Sequence, residues 1–200
     1  MSAHGSRLSA REFLGGLAGG ILGATALAGL ASATTQGGES AGTQAPADAT
    51  DALRFPRVFV LVRHAEKGAE PANDPPLSEA GAARAERLAH MLRHSGVTQL
   101  IATEFVRTQA TLAPLASAVG RPVTTVAARD GKGLLSALDS LPRGSLAVVA
   151  GHSNTVPALV ERLSGGRAKP SIEESEYDKL FFVIQWGAGK GLQHSFELRF

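Results

Sequence analysis

The 200-residue chain contains no cysteine. Disulfides, thiolate nucleophiles and cysteine-bound zinc are therefore excluded. The compartment stays open, because an exported domain can fold without disulfides. Aromatic residues make up 5% of the chain and charged residues 19%. No Lys/Arg run and no basic stripe interleaved with aromatics appears, so the usual footprint of nucleic-acid binding is missing. H-x-x-x-H and similar close ligand spacings are missing too. There is no internal repeat.

Much of the missing charge is missing from the first fifty residues, which are rich in Ala, Gly, Ser and Thr. Residues 1–53 hold Arg7, Arg11, Glu12, Glu39, Asp48 and Asp51, a net of −2; the whole chain is +2, so residues 54–200 carry +4. That mild excess suits anionic substrates. Residues 13–33 form an uncharged apolar run that follows Arg7 and Arg11 and ends in Ala31-Ser32-Ala33. A basic start, an apolar middle and a small-residue exit predict an export signal over 1–33. Ser9-Ala10-Arg11-Glu12-Phe13-Leu14 resembles a twin-arginine signal in which Ala10 replaces the first arginine. The alternative is an uncleaved anchor, since the run is long enough to span a bilayer. The expected location is periplasmic or extracellular, with no membrane contact for the mature domain unless the signal stays attached. Residues 34–53 are small and polar, as in a flexible linker. The folded domain is expected over 54–200, long enough for one core.

Within it, apolar runs alternate with helical spacing. Arg57–Val62, Leu100–Ala102, Pro122–Val126, Leu146–Ala150 and residues 180–185 read as strands, the first and fourth apolar enough for burial on both faces. Leu77-Ser78 supplies a staple residue and N-cap for a helix carrying Ala85, Leu88 and Leu92, stopped at Gly96. Thr103 is expected to cap a helix with Val106, Leu112, Leu115, Ala116 and Val119, ended by Gly120 and Pro122. Leu134, Leu135, Leu138 and Leu141 mark a third helix; Val156, Leu159, Val160 and Leu163 mark a fourth, capped by Asn154 or Thr155. Gly187–Gly191 forms a turn into a last, half-exposed strand ending at Phe200. The order β-α-β-α-β-α-β-α-β-β predicts an α/β, three-layer α/β/α sandwich with a mostly parallel central sheet.

Three segments place charge just past strand ends. Arg63-His64-Ala65-Glu66-Lys67 follows the first strand. Arg107 falls in the first turn of the second helix, where backbone N–H groups and an Arg fork both suit phosphate oxygens. Gly151-His152-Ser153-Asn154 lies between the fourth strand and its helix. Ligands in such sheets sit beyond the carboxyl ends of the strands. Two arginines, two imidazoles and helix N-termini would converge there, a set that fits a phosphoryl group. His64, His152 and Glu66 could instead hold a metal, but the two arginines would repel a cation.

Arg63-His64-Ala65-Glu66 resembles the R-H-G/A-E motif of the histidine phosphatase superfamily, which includes the cofactor-dependent phosphoglycerate mutases. Thr103–Thr111 resembles its second motif, Gly151-His152-Ser153 its third, and Leu77-Ser78-Glu79-Ala80-Gly81 the L-T/S-x-x-G after the first. The resemblance covers roughly residues 55–200 and implies a phosphoglycerate mutase-like fold, in a small exported bacterial-type phosphatase branch. It implies that His64 becomes phosphorylated, that Arg63, Arg107 and His152 bind the phosphate, and that no metal or organic cofactor is required. It also implies an acid past the third strand. Asp130 ranks first for that role and Glu66 second; Asp130-Gly131 is also an ordinary turn pair. Substrates would be phosphorylated small molecules or phosphoproteins.

Only 44 residues separate Arg107 from His152, too few for a substrate-enclosing cap. That favours a phosphatase over a mutase, which must shield its intermediate from water. A non-catalytic phosphate-binding module is the other alternative, and retention of His64 with both arginines argues against it. Glu173, Glu174, Glu176 and Tyr177 precede the fifth strand. They form either a solvated face or part of the pocket rim.

Overall fold

The computed structural model describes residues 55–187 and 192–200. The expected export segment, the linker, Arg54 and most of the turn over 187–191 lie outside the described residues.

The described chain follows the expected order: β1 (Arg57–Arg63), α1 (Glu79–Leu92), β2 (Gln99–Thr103), α2 (Val106–Val119), β3 (Val123–Val126), α3 (Gly131–Asp139), β4 (Leu146–Gly151), α4 (Thr155–Leu163), β5 (Lys179–Gln185) and β6 (Gln193–Arg199). The six strands form one sheet in the order β3-β2-β4-β1-β5-β6. The first four in that order are parallel, whereas β5 runs antiparallel to β1 and β6 antiparallel to β5.

Why β1 is apolar from Val58 to Val62 is visible in the packing. Val60 and Val62 face a core shared with Leu88 and Leu92 of α1 and Leu112 and Leu115 of α2. Phe59 and Leu61 face the other core, with Leu138 of α3 and Val156, Leu159, Val160 and Leu163 of α4. Alternate side chains point to opposite faces, so a strand covered on both sides has no polar positions to spare. On that face α3 packs less deeply than α4: its buried residue is Leu138, against Val156, Leu159, Val160 and Leu163 of α4. Among the described residues, no helix is long and apolar enough to cross a membrane.

Two features of the sheet place the site. Parallel β1, β2 and β4 end at one edge, with Arg63 opposite Gly151 in register. Because β5 is antiparallel, its start lies at that same edge, Val62 facing Leu180. The segment before β5 is thereby brought to the strand ends.

Candidate active site

His64 is the first residue beyond β1 and is 4% exposed. Its backbone N–H donates to the Gly151 carbonyl at 2.9 Å. Its Nδ1 lies 2.8 Å from the Ala65 carbonyl. A carbonyl can only accept, so Nδ1 carries the proton in neutral His64 and the Nε2 lone pair is left for chemistry. Burial, then the charges of Arg107 and Arg63 and neighbouring His152, outweigh the bond to Ala65 and lower the imidazole pKa to about 4. His64 is therefore neutral at physiological pH. The next residue is fixed as well: Ala65 N–H donates to Thr111 Oγ1 at 2.9 Å, and that hydroxyl donates to the Arg107 carbonyl at 2.7 Å. Motif one and the second helix are thus bolted together.

The His152 ring lies edge-on to His64, with centroids 5.5 Å apart. Its Nε2 is 3.0 Å from Thr103 Oγ1, which leaves Nδ1 as the ring nitrogen able to face a ligand. Burial, followed by the charge of Arg107, lowers its pKa despite the opposing pull of Glu104. Thr103 corrects the expectation of a helix cap. The N-cap of α2 is Phe105, without a side-chain cap bond. Thr103 instead ends β2, and its buried hydroxyl joins His152 to Thr108 Oγ1, 2.8 Å away. Thr155, the first residue of α4, accepts from His152 N–H at 3.0 Å through its hydroxyl.

Both arginines are anchored, and each keeps a buried Nε donor unpaired among the described residues. Arg63 Nη1 donates to the carbonyls of Glu173, Glu174 and Glu176 at 3.0, 2.8 and 3.2 Å. Its Nη2 pairs with Glu174 Oε2 at 2.9 Å, and its Cζ sits 4.1 Å from the Tyr177 ring centroid. Arg107 lies over the Phe105 ring, and its Nη1 is 3.4 Å from Asp74 Oδ1. The Nε of each guanidinium is buried with no hydrogen-bond partner among the described residues. Unpaired buried donors are costly, and an oxyanion within their reach would satisfy them.

The two expected acids differ. Glu66 does not pair with Arg63 or Lys67. Arg84 of α1 forks onto it, with Nε at 3.0 and 2.9 Å from the two oxygens and Nη2 at 2.7 Å. Those hydrogen bonds lower the Glu66 pKa, which keeps it a carboxylate and a brace for motif one. Asp130 is not a plain turn residue. It is the N-cap of α3 and accepts from Gly133 N–H at 2.8 Å. It also lines a cavity that Thr103 and Gly151 share. Among the described residues, no group of three or more His, Asp or Glu is clustered as a metal site would need.

Sequence reasoning undervalued the 173–177 segment, which holds Arg63, took Thr103 for a helix cap and did not single out Thr111 within its motif. Nothing in a loop's spacing signals that its carbonyls will clamp a guanidinium. The hydroxyls carry a faint signal, being polar positions at the buried end of an apolar strand and on the buried face of a helix.

Comparison with known proteins bears on the fold that carries these residues. The family model described as histidine phosphatase superfamily (branch 1) matches residues 59–130. No curated protein matches the chain. Among solved structures, the protein histidine phosphatase SixA complexed with tungstate is similar at TM-score 0.57 and 18% identity, over 71% of this chain and 96% of its own. A mycobacterial glucosyl-3-phosphoglycerate phosphatase is similar at TM-score 0.54 and 14% identity, over 65% and 91%. The structure of mycobacterial hydrolase 1 is similar at TM-score 0.58 and 13% identity, over 70% and 96%. The shared feature is the phosphoglycerate mutase-like α/β fold.

Proposed function

We propose that this chain is a metal-independent phosphohydrolase of the histidine phosphatase type, acting on phosphomonoesters or phosphoproteins through a phosphohistidine on His64. One observation carries the reading. A buried imidazole, held neutral with Nε2 free, lies beside two arginines whose Nε donors have no partner.

In the first step, His64 Nε2 attacks phosphorus, the P–N bond forms and the P–O bond of the ester breaks. The leaving oxygen takes a proton from a nearby acid. In the second step, the acid, now a carboxylate, takes a proton from the attacking water, the P–N bond breaks, inorganic phosphate leaves and neutral His64 is restored. Arg63, Arg107 and His152 donate to the equatorial oxygens in both steps. Asp130 is the proposed proton donor; Glu66, held ionised by Arg84, supports the loop instead. Permanent positive charge from two arginines replaces the charge a metal would supply, so a chelator should leave turnover intact. Residues 1–33 are proposed to export the protein and 34–53 to link signal to domain.

Two experiments test this. Brief reaction with labelled substrate should leave acid-labile, alkali-stable phosphate on the wild type and none on His64→Ala. Label trapped on another residue, wild-type rates in the alanine variant, or loss of activity with chelator would each defeat the reading. For the acid, Asp130→Asn should slow alkyl phosphates far more than nitrophenyl phosphate, because only the poor leaving group needs the proton. Equal slowing of both, or none, removes Asp130.

A further inference from the structure

We propose that the cavity sharing Thr103 and Gly151 with the active site receives the substrate's leaving group, and that this group is an apolar chain or ring system bearing a second anion. The proposal rests on the phosphohydrolase reading and adds the substrate class to it.

The cavity has a volume of about 440 Å³, within the range of small-molecule sites. Its walls are Val126 and Val149 from the sheet, Leu134 and Leu135 from α3, and Val156 and Leu159 from α4. Such walls offer water few partners and favour carbon. The place fits a leaving group. Thr103 lines the cavity, and its hydroxyl touches His152; Gly151 lines it, and its carbonyl holds the His64 N–H. Glu104, beside Thr103, accepts from Ala128 N–H at 2.6 Å and so ties the 127–130 wall to the end of β2.

The charges set the ligand's sign. Arg129, Lys132 and Arg162 line the cavity against a single acid, Asp130, whose carboxylate already accepts from Gly133. The charges that act on His64 are those of Arg107, Arg63 and His152, not those of these three cations. Along α4, lining residues run from Thr155, bonded to His152, to Arg162. At helical rise that is roughly 10 Å, about the reach of an eight-carbon chain. A phosphoryl group at His64, an apolar body along α4 and an anion near Arg162 together satisfy the lining.

The test compares ethyl phosphate, octyl phosphate and 8-phosphooxyoctanoate. Octyl phosphate should exceed ethyl phosphate in kcat/KM by at least tenfold, and the terminal carboxylate should add a further severalfold gain. Ala158→Trp, which fills the cavity from α4, should abolish the octyl preference while ethyl phosphate is still hydrolysed. Arg162→Glu should remove only the carboxylate gain. Octylphosphonate should inhibit the wild type more tightly than ethylphosphonate, a readout independent of any variant's folding. Equal rates for ethyl and octyl esters, equal inhibition by the two phosphonates, or an octyl preference surviving in Ala158→Trp would overturn the proposal and leave hydrolysis standing. Failure of the wild type to hydrolyse any phosphomonoester, nitrophenyl phosphate included, would instead strike the reading beneath it.

Discussion

His64 sits where burial and two guanidinium charges disfavour its protonated form. The sign of its pH dependence follows. Its native pKa of about 4 lies below the value of about 6.5 expected when unfolded, so the unfolded chain binds the proton more readily between those values. Stability should therefore be fully present above pH 6.5 and fall as pH drops towards 4. His64→Gln should remove that part of the slope in denaturant titrations. An imidazole NMR titration of the free protein reads the group directly; a midpoint near 6.5 for His64 would contradict the geometry. Arg107 acts at the same scale. Arg107→Ala should lower kcat/KM by about two to four orders of magnitude, since one preorganised donor is worth ~3–4 kcal/mol and a fork more. Inorganic phosphate should also inhibit the variant less than the wild type; equal inhibition would remove Arg107 from the site.

At the scale of elements, the strands were legible because burial on both faces leaves apolar runs, as in β1 and β4. Helices were legible from spacing, as with Ala85, Leu88 and Leu92. What could not be read was how elements touch. The start of α1 is pressed against motif one: Ser78 N–H donates to the Glu66 carbonyl at 2.9 Å, and a Cβ on Gly81 would collide with that same carbonyl. Gly81 is thus required by close approach, while the sequence offered it only as part of a motif. Gly81→Ala should destabilise the domain by about 1–3 kcal/mol, as overpacking does, and should also slow turnover by shifting the Glu66 loop. A denaturation midpoint and kcat equal to wild type would show that the contact relaxes at no cost. The reach of Arg84, which donates to Glu66 and to the Phe200 carbonyl at 2.7 Å, joins residues far apart in the chain. No local pattern reports it.

For the whole molecule, the stretch from Arg107 to His152 is filled by α2, β3, α3 and β4, and no cap is built from it. On the proposed mechanism, nothing built from this stretch would screen a phosphohistidine on His64 from water. Hydrolysis should therefore dominate over transfer to an added alcohol such as glycerol, which product analysis of a labelled phosphoryl group would measure; predominant transfer would show the edge to be shielded. The mostly parallel sheet was readable from strand–helix alternation. The reversal at β5 left no trace in periodicity, because a buried strand looks alike in either direction. That reversal is why Glu174 and Tyr177 reach Arg63.

The pairing of β1 also governs the order in which the molecule can assemble. Val58 lies between Leu146 of β4 and Ile184 of β5, so β1 leaves the ribosome with both of its sheet neighbours still unmade. Contacts this distant in sequence must await long loop closures, which slows folding. A nascent chain ending at Arg143 has neither neighbour for β1 and should remain protease-sensitive and without a cooperative melting transition. The complete domain should resist the same protease. If residues 1–33 export the chain as proposed, a translocation channel that accepts only unfolded chains would have that interval in which to capture it.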